Sequence, residues 1–210
     1  MGGASARLTA VAPSDRVNCV DMAFAVSGGR LPRDHSLALW QALVRAAPWF
    51  GEDDAVAVLP IRAASAGDEG LVLQRRSRLL MRLPEARVEA ALGLCGLRLE
   101  VAGVAGAPVT LGEAKTRPLA PHPTLYAHRV AAEQDNEEAF VEQTGRALEQ
   151  LGVNSEFIVG RRTLAQGPEG VLAGYSLMLV ELPARQSLAL QVAGIGAHRG
   201  LGFGIFVGHK

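Results

Sequence analysis

The sequence predicts an α+β protein built from two tandem ferredoxin-like (βαββαβ) units. Apolar residues alternate along some short segments and recur at helical spacing along others, and the resulting order of strands and helices is the same in both halves. Two Leu-Pro pairs, Leu83-Pro84 and Leu182-Pro183, lie 99 positions apart, and each ends a predicted strand and begins a helix. The chain has 210 residues, of which 49% are hydrophobic, so it is long enough for two cores of about 100 residues each.

The N-terminal unit is predicted over residues 17–103, after a flexible tail at residues 1–16. Its first strand has apolar residues at every second position, and its first helix begins after Asp34, a typical N-cap residue, and ends before Pro48. In order, the predicted elements are a strand at Val17–Val26, a helix at His35–Ala47, a strand at Ala55–Ile61, a strand that can be broken at Leu71–Leu83, a helix at Pro84–Leu92 and a strand at Leu97–Val101.

The C-terminal unit is predicted over residues 104–210 and repeats that order. The two units meet around Gly103–Pro121, a stretch rich in glycine and proline that is typical of a linker. The predicted elements are a strand at Thr124–Val130, a helix capped by Asp135 or Asn136 and ending at Leu151, strands at Glu156–Val159 and Val171–Val180, a helix at Pro183–Val192 and a strand at Phe203–Val207.

Composition excludes several classes of protein. No apolar run approaches the roughly 18 residues that span a bilayer, and residues 1–16 lack the apolar stretch of a signal peptide. Cys19 and Cys95 do not have the spacing of metal ligands, and the acidic residues between Glu133 and Glu142 are typical of a solvated helix face. We therefore expect a soluble, cytoplasmic protein without disulfides, metal or cofactor.

The charge is balanced overall but unevenly distributed. There are 21 basic and 21 acidic residues, and 19 of the basic ones are arginine. The segment Leu71–Leu83 holds four arginines and no acid, and no carboxylate side chain follows Glu181. High-GC codon usage explains an arginine excess as well as function does, but guanidinium groups suit phosphate contacts, so the local charge permits a nucleic-acid partner.

The segment Gly194–Gly204 is the most informative part of the sequence. It has five glycines in eleven residues, together with His198 and Arg199. Backbone N–H groups in such a loop can bind phosphate oxygens. A dinucleotide-binding turn is excluded because a helix precedes the loop and six residues follow it, and a P-loop is excluded because no Gly-Lys-Ser/Thr is present. A glycine-rich hairpin without a ligand remains the alternative.

The pattern of this loop, Gly-apolar-Gly, five residues, Gly-apolar-Gly, resembles the signature of the repeat-associated mysterious proteins, the RNA-binding superfamily of CRISPR systems. Near the N-terminus, Val20–Gly28, Leu31–His35 and Ala38–Leu43 are similar to the start of the MYXAN variant of the sixth Cas family. The resemblance extends from Val17 to the C-terminus, with its specific motifs at the two ends. It implies tandem ferredoxin-like units and a metal-independent endoribonuclease that cuts precursor crRNA within CRISPR repeats.

The resemblance also implies site residues. Attack of a ribose 2′-hydroxyl on the adjacent phosphate gives a 2′,3′-cyclic phosphate and a 5′-hydroxyl, and a histidine suits the proton transfer. The implied catalytic residue is His35, at the start of the first helix, where the family often places its histidine. The implied contacts to a CRISPR repeat RNA, expected as a hairpin, are Arg75, Arg76, Arg78, Gly194, Gly196, His198, Arg199, Gly200, Gly202 and Gly204.

Other interpretations stay open at this point. His198 is the second choice for the proton transfer, whereas His122 and His128 can be plain surface residues. A non-catalytic RNA-binding subunit of a CRISPR effector complex, in contact with other Cas subunits, would share the glycine-rich loop but lack the catalytic histidine. A ferredoxin-like module that binds no RNA is a third possibility, and the acid-free C-terminal segment argues against it.

Overall fold

The computed structural model describes residues 18–65, 70–101 and 108–209, so the expected tail at residues 1–16 and the expected boundary between residues 103 and 104 lie outside the described residues. In the N-terminal half the helices are α1 (Ser36–Ala46) and α2 (Val88–Leu92), the second preceded by a 3₁₀ turn. The strands are β1 (Cys19–Ser27), β2 (Arg30–Leu31), β3 (Ala57–Val58), β4 (Ala64–Ser65), β5 (Leu71–Val72), β6 (Arg78–Pro84), β7 (Arg98–Leu99) and β8 (Val109–Pro118).

The C-terminal half contains two longer helices and four strands. Its first helix begins after Asn136, one of the two caps that the sequence predicted, and the Asn136 side chain accepts a hydrogen bond from the Ala139 N–H over 3.0 Å. The elements are β9 (Leu125–Ala131), α3 (Glu137–Gln150), β10 (Phe157–Gly167), β11 (Gly170–Leu179), α4 (Ala184–Ala193) and β12 (Phe206–Gly208). None of the helices in the described ranges has the length and apolar character that a membrane span requires.

The strand pairing confirms the predicted fold class. The sheet of the second half has the order β10-β11-β9-β12, which is the 2-3-1-4 order of a ferredoxin-like unit, and its pairs are antiparallel. The sheet of the first half has the order β3-β6-β1-β8-β7, the same order with one additional edge strand. A small third sheet, β2-β5-β4, lies within the first half.

The fourth strand of the first sheet differs from the sequence prediction. We expected Leu97–Val101 in that position and a linker at Gly103–Pro121, but β8 pairs with β1 and the shorter β7 lies outside it. By strand pairing, therefore, residues 109–118 go with the N-terminal sheet and not with the unit predicted to start at residue 104. The prolines that suggested a linker lie at the ends of the strand, where a missing N–H costs the ladder little.

The start of α1 is a second correction. Asp34 is not the N-cap, because His35 occupies that position and makes no side-chain cap. The Asp34 carboxylate instead accepts a hydrogen bond of 2.6 Å from the backbone N–H of Gln166, in β10 of the other half. This contact between distant parts of the chain replaced the local capping interaction that the sequence suggested.

Each sheet has its own apolar core, and a smaller cluster joins the two halves. In the first half, Met22, Phe24 and Leu43 are among the fully buried residues, and in the second half Phe140 and Leu177 are. The joining cluster consists of Ala131, Ala165, Leu201 and Phe203 of the second half, packed against Leu37 and Trp40 of α1 and Leu172 of β11. This apolar contact between the two units is made largely by α1 and the loop before β12.

The buried Arg82 side chain connects the two sheets by hydrogen bonds. It lies on β6 directly across from Asp21 on β1, and its Nε donates to Asp21 Oδ1 over 2.7 Å. Its Nη1 donates to the backbone oxygens of Gln191 and Phe206, in α4 and β12, over 2.9 and 2.7 Å. One side chain, 1% exposed, thus pairs a carboxylate of its own sheet with two carbonyls of the other half.

We expect Arg82→Met to lower the free energy of unfolding by about 3–5 kcal/mol, because it leaves the Asp21 carboxylate and two carbonyls without their donor. Urea unfolding measures the change. Arg98→Ala, at an exposed position of β7, is the matched control and should cost less than about 0.5 kcal/mol. Equal stability of the two variants would contradict the role assigned to Arg82.

Candidate functional site

His35, the implied catalytic residue, is buried, with 1% of its surface exposed. Its Nε2 accepts a hydrogen bond from the Ile61 N–H over 2.9 Å, and its Nδ1 donates to the carbonyl oxygen of Pro32 over 3.0 Å. Burial, and to a smaller extent the nearby charge of Arg129, lower the pKa of His35 below its ordinary value. Both ring nitrogens of this neutral imidazole are therefore occupied within the protein.

The bond from Ile61 gives His35 a position-holding role. It fixes the segment that follows β3, in which Pro60 and Arg62 flank Ile61. Pro60 and Arg62 both line a cavity of about 350 Å³ together with His35 itself. The geometry thus speaks against His35 as a proton acceptor for an external substrate and in favour of a structural role in the wall of the cavity.

That cavity belongs to a cationic cleft between the two halves. We use the term basic cleft for the surface lined by Arg33, Arg62, Arg76, Arg78, His128 and Arg129. The cleft continues into a neighbouring depression that shares Arg33, His128 and Arg129 and adds Arg161. Asp34 is the one carboxylate among the residues that line these two depressions, and it already accepts the Gln166 N–H. Such a surface attracts a polyanion.

The second sheet contributes to the basic cleft through the face opposite its helices. Leu125 and Ala127 of β9 point into the core with Phe140, so Tyr126 and His128 point to the other face. Two β-bulges then change the direction of the strands at the level of Ser176 on β11. The residue pair His128-Arg129 on one neighbouring strand and the pair Gly160-Arg161 on the other each oppose this single residue.

Each bulge presents a basic residue to the basic cleft. On β9 the extra residue allows adjacent positions, His128 and Arg129, to line the same cavity, which a regular strand would place on opposite faces. On β10 the bulge is accommodated by Gly160, since a Cβ there would lie 2.6 Å from the Ser176 hydroxyl. Bulges are common next to active sites because they redirect side chains in this way.

His128 is exposed, and its ring contacts other polar groups of the basic cleft. The Arg62 guanidinium makes a short hydrogen-bond contact with its Nε2. The ring of Tyr126 lies edge-on to it at a centroid distance of 4.9 Å. Partial burial, then the charges of Arg62, Arg129 and His209, lower the pKa of His128 below its ordinary value. The imidazole is thus neutral near pH ~7 and presents a nitrogen to the basic cleft.

Arg129 joins the two halves at the base of the basic cleft. Its guanidinium donates to Ser36 Oγ, at the start of α1, over 2.6 Å and to the backbone oxygen of Leu201. The same group lies over the Phe203 ring at 4.5 Å, and the Arg129 carbonyl accepts the Gly204 N–H over 2.8 Å. Arg129 therefore holds the glycine-rich segment against the first half.

Two glycines of Gly194–Gly204, Gly200 and Gly202, permit this close packing. A Cβ on Gly200 would lie 2.6 Å from the Trp40 ring, and one on Gly202 would lie 2.6 Å from Pro60. Gly204 has φ +67°, and its Cβ would overlap the carbonyl oxygen of Ile195. The N–H groups of residues 194, 195 and 201–204 bond to carbonyl oxygens of the protein. The loop thus contacts the first half at Gly200 and Gly202, and its other glycines and N–H groups pack within the second half.

Arg199 likewise has a structural use. Its Nη1 donates to the carbonyl oxygens of Val192 and Ala193, each over 2.9 Å, at the C-terminal end of α4. His198 has left-handed backbone geometry and an exposed side chain. Together with Gly196 and Gly200, these residues line a cavity that also contains Asp53 and Asp54, and this cavity is separate from the basic cleft.

The implied RNA-contacting residues are therefore divided between two places. Arg76, Arg78 and Gly202 line the basic cleft. Arg75 is exposed on the turn between β5 and β6, where its carbonyl accepts a hydrogen bond from Arg78. Gly194 and Gly204 are buried within the loop. The contact of each of these residues with RNA stays a prediction.

Sequence reasoning missed most of the cationic groups of the basic cleft. Arg33, Arg62, Arg129 and Arg161 did not stand out, because they lie far apart in the sequence and meet through the contact between the halves. The only local signal for His128 was its place beside an arginine on a strand with alternating apolar residues. Within the described ranges, no three His, Cys, Asp or Glu side chains come together in a way that could hold a metal ion.

Two tandem ferredoxin-like units, with a glycine-rich loop before the last strand of the second, define the fold class of this protein. A solved structure of this class, an RAMP protein binding different RNA substrates, aligns with a TM-score of 0.61 at 12% identity, over 91% of this chain and 100% of that one. A CRISPR associated protein Cas6 aligns with a TM-score of 0.65 at 14% identity, over 92% and 99% of the two chains. These likenesses show the fold.

Sequence comparison then gives the family. The profile of the family described as Cas6 Crispr matches residues 20–210. The CRISPR-associated endonuclease Cas6 of Myxococcus xanthus (strain DK1622) is 36% identical over 189 residues, which cover 90% of this chain and 80% of that protein. The chain belongs to the Cas6 family, as the resemblance of its two end motifs implied.

We expect Gly204→Ala to destabilise the protein far more than Gly152→Ala. Both glycines have nearly the same left-handed backbone, φ +67° and +64°, but an added Cβ meets Ile195 at the first position and nothing within 4 Å at the second. The control should lose about 1–2 kcal/mol from backbone geometry alone, and Gly204→Ala clearly more, by urea unfolding. Equal losses at the two positions would contradict the packing role of the loop.

We also expect stability to fall on acidification because of His35. Its folded-state pKa lies below its ordinary value of 6.5, so the unfolded chain binds a proton that the native state does not, and stability is lost as pH falls below about 6.5. The slope from one such group reaches at most about 1.4 kcal/mol per pH unit. Urea unfolding of the wild type and of His35→Ala at about pH 7 and about pH 5 measures it. An unchanged slope in the variant would contradict this assignment.

Proposed function

We propose that this chain is an endoribonuclease that cuts the precursor transcript of a CRISPR array within its repeats and so releases guide RNAs. The observation that carries the proposal is the basic cleft between the two ferredoxin-like units of a Cas6 family member. The name of the Myxococcus xanthus relative, an endonuclease, supports the same activity. The charge of the cleft fits the phosphate backbone of the RNA.

The reaction we propose needs no metal ion. The ribose 2′-oxygen attacks the adjacent phosphorus, the bond from phosphorus to the 5′-oxygen breaks, and the products carry a 2′,3′-cyclic phosphate and a 5′-hydroxyl. The 2′-hydroxyl proton goes to a base of the protein, and the leaving 5′-oxygen takes a proton from water. Guanidinium groups stabilise the charge that develops on the phosphorane oxygens.

The arginines of the basic cleft are suited to that electrostatic task. Arg62 and Arg76 are exposed and line it from the first half, and Arg161 lines it from the second half. A bound phosphate can therefore be approached by guanidinium groups from both units, which also orients it for in-line attack.

A repeat hairpin stem would follow the turn between β5 and β6. Arg78 donates to the carbonyl oxygens of Arg75 and Ser77 over 2.8 and 2.7 Å, which orders the turn. Arg75, Arg76 and Arg78 are all exposed there, as contacts to an A-form backbone require. The exposed end of the glycine-rich loop, Gly196 to His198, is a second proposed contact to the RNA.

A second function stays in view because of the burial of His35. If this residue were the family's proton acceptor and could not reach RNA, the chain would be a non-catalytic RNA-binding subunit of a CRISPR effector complex, in contact with other Cas subunits. Its basic cleft would then serve to hold a repeat. The two functions differ in whether the bound RNA is cut.

The test is incubation of the protein with its cognate repeat RNA in EDTA. We expect a single cut that needs no divalent metal and is blocked by a 2′-deoxy substitution on the ribose before the scissile phosphate. Phosphatase and kinase treatment identifies the end groups on the two products. A cut that requires metal would contradict the mechanism, and tight binding of the intact repeat without any cut would support the non-catalytic subunit.

A further inference from the structure

We propose that His128 accepts the 2′-hydroxyl proton and that Arg62 keeps its imidazole neutral until a phosphate draws the guanidinium away. This inference rests on the proposed ribonuclease activity and names the base within it. It is carried by the placement of His128 in the basic cleft, by the bulge that presents it, and by the contact with Arg62.

Accessibility distinguishes the two histidines that line the basic cleft, His35 and His128. The His35 ring is enclosed, with Nδ1 and Nε2 bonded to Pro32 and Ile61. The His128 side chain is exposed and lines both depressions of the cleft, where the arginines would hold a phosphate. A proton acceptor must come within hydrogen-bond reach of the substrate, and of these two rings only His128 can do so without leaving its site.

The β-bulge opposite Ser176 determines which residues of β9 reach the basic cleft. By placing two residues of β9 against one residue of β11, it presents both His128 and Arg129 to the basic cleft. The proton acceptor and the arginine that joins the two halves are thereby neighbours on a rigid strand. The Tyr126 ring, edge-on to His128, limits how the imidazole can turn.

Arg62 determines the protonation state of the resting His128 imidazole. A guanidinium can only donate, so the His128 Nε2 that it contacts must be unprotonated, and the ring proton lies on Nδ1. Arg62, Arg129 and His209 each act electrostatically against protonation of this imidazole, and the Tyr126 ring contacts its edge. The resting group is therefore a neutral base whose lone pair is covered by Arg62.

RNA binding would uncover that lone pair. A phosphate offers the Arg62 guanidinium two charged oxygen acceptors, a stronger pairing than one neutral imidazole nitrogen. Nε2 then takes the proton of the 2′-hydroxyl as its oxygen bonds to phosphorus, the bond to the 5′-oxygen breaks, and water supplies the proton to that oxygen. The imidazolium returns its proton to solvent, and the protons balance over the cycle.

Single-turnover cleavage of the cognate repeat by His128→Ala, Arg62→Ala and the control His122→Ala tests the inference. His122 lies against Gly208, and the structure gives it no place among the residues that line the basic cleft. We expect His128→Ala to lose at least about 100-fold in cleavage rate, with RNA binding retained in a gel-shift assay. The control should cut at the wild-type rate. Unfolding curves establish that each variant is folded.

A pH profile separates proton transfer from mere positioning. With the protein subsaturating, where the cleavage rate reports the free protein, the wild-type rate should fall on acidification only below the ordinary pKa of 6.5, because the His128 pKa is lowered. Arg62→Ala removes a positive neighbour, so its acidic midpoint should move to higher pH. His128→Gly should lose the acidic midpoint and regain part of its rate when imidazole is added, as expected if a missing base is replaced.

The outcomes are distinguishable. If wild type cuts the repeat and His128→Ala cuts equally fast with the same pH profile, the inference about His128 is wrong and the proposed function stands. If wild type binds the repeat but never cuts it, the proposed activity fails first. A His128→Ala variant that stays folded but no longer binds RNA would also overturn the inference, because it would make His128 a binding residue.

Discussion

The relative position of the two units depends on the buried guanidinium of Arg82. It pairs with Asp21 within the first sheet, and its remaining donors reach the carbonyls of Gln191 and Phe206 in the second half. A buried cation with every partner in place is costly to move, because any other arrangement of the units leaves charge or carbonyl oxygens unpaired. The geometry of the basic cleft follows from this constraint, since its walls belong to both units.

Other contacts between the halves, both polar and apolar, act together with Arg82. Arg129 binds Ser36, Asp34 accepts the Gln166 N–H, and Trp40 lies against Gly200. The glycine-rich loop is the central part of this contact, and that explains why it tolerates no side chains at several positions. The sequence predicts a phosphate-binding loop, but in the structure Gly200 and Gly202 permit the close approach of the first half, and Gly194 and Gly204 pack against residues of the loop itself.

The sequence predicted local structure well and the site poorly, for physical reasons. Helix α3, with its Asn136 cap, and the strands with alternating apolar residues were found because periodicity and capping are local. The strand β8 was missed because the glycine and proline that it contains are also typical of a linker. The bulge at His128-Arg129 was not foreseeable, since it depends on how many residues of β9 oppose one residue of β11. The burial of His35 depends on Ile61, 26 residues away.

The two histidines illustrate why a lowered pKa alone does not identify a base. Burial lowers the pKa of His35, whose ring is held by Pro32 and Ile61, and keeping it neutral stabilises the segment that carries Arg62. The pKa of His128 is lowered by partial burial and also by the charges of Arg62 and Arg129, of which Arg62 contacts its Nε2. Only the second arrangement can change when a polyanion arrives, because the cations can exchange the imidazole for phosphate. A histidine near the start of α1 can thus support the site while one on β9 performs the chemistry.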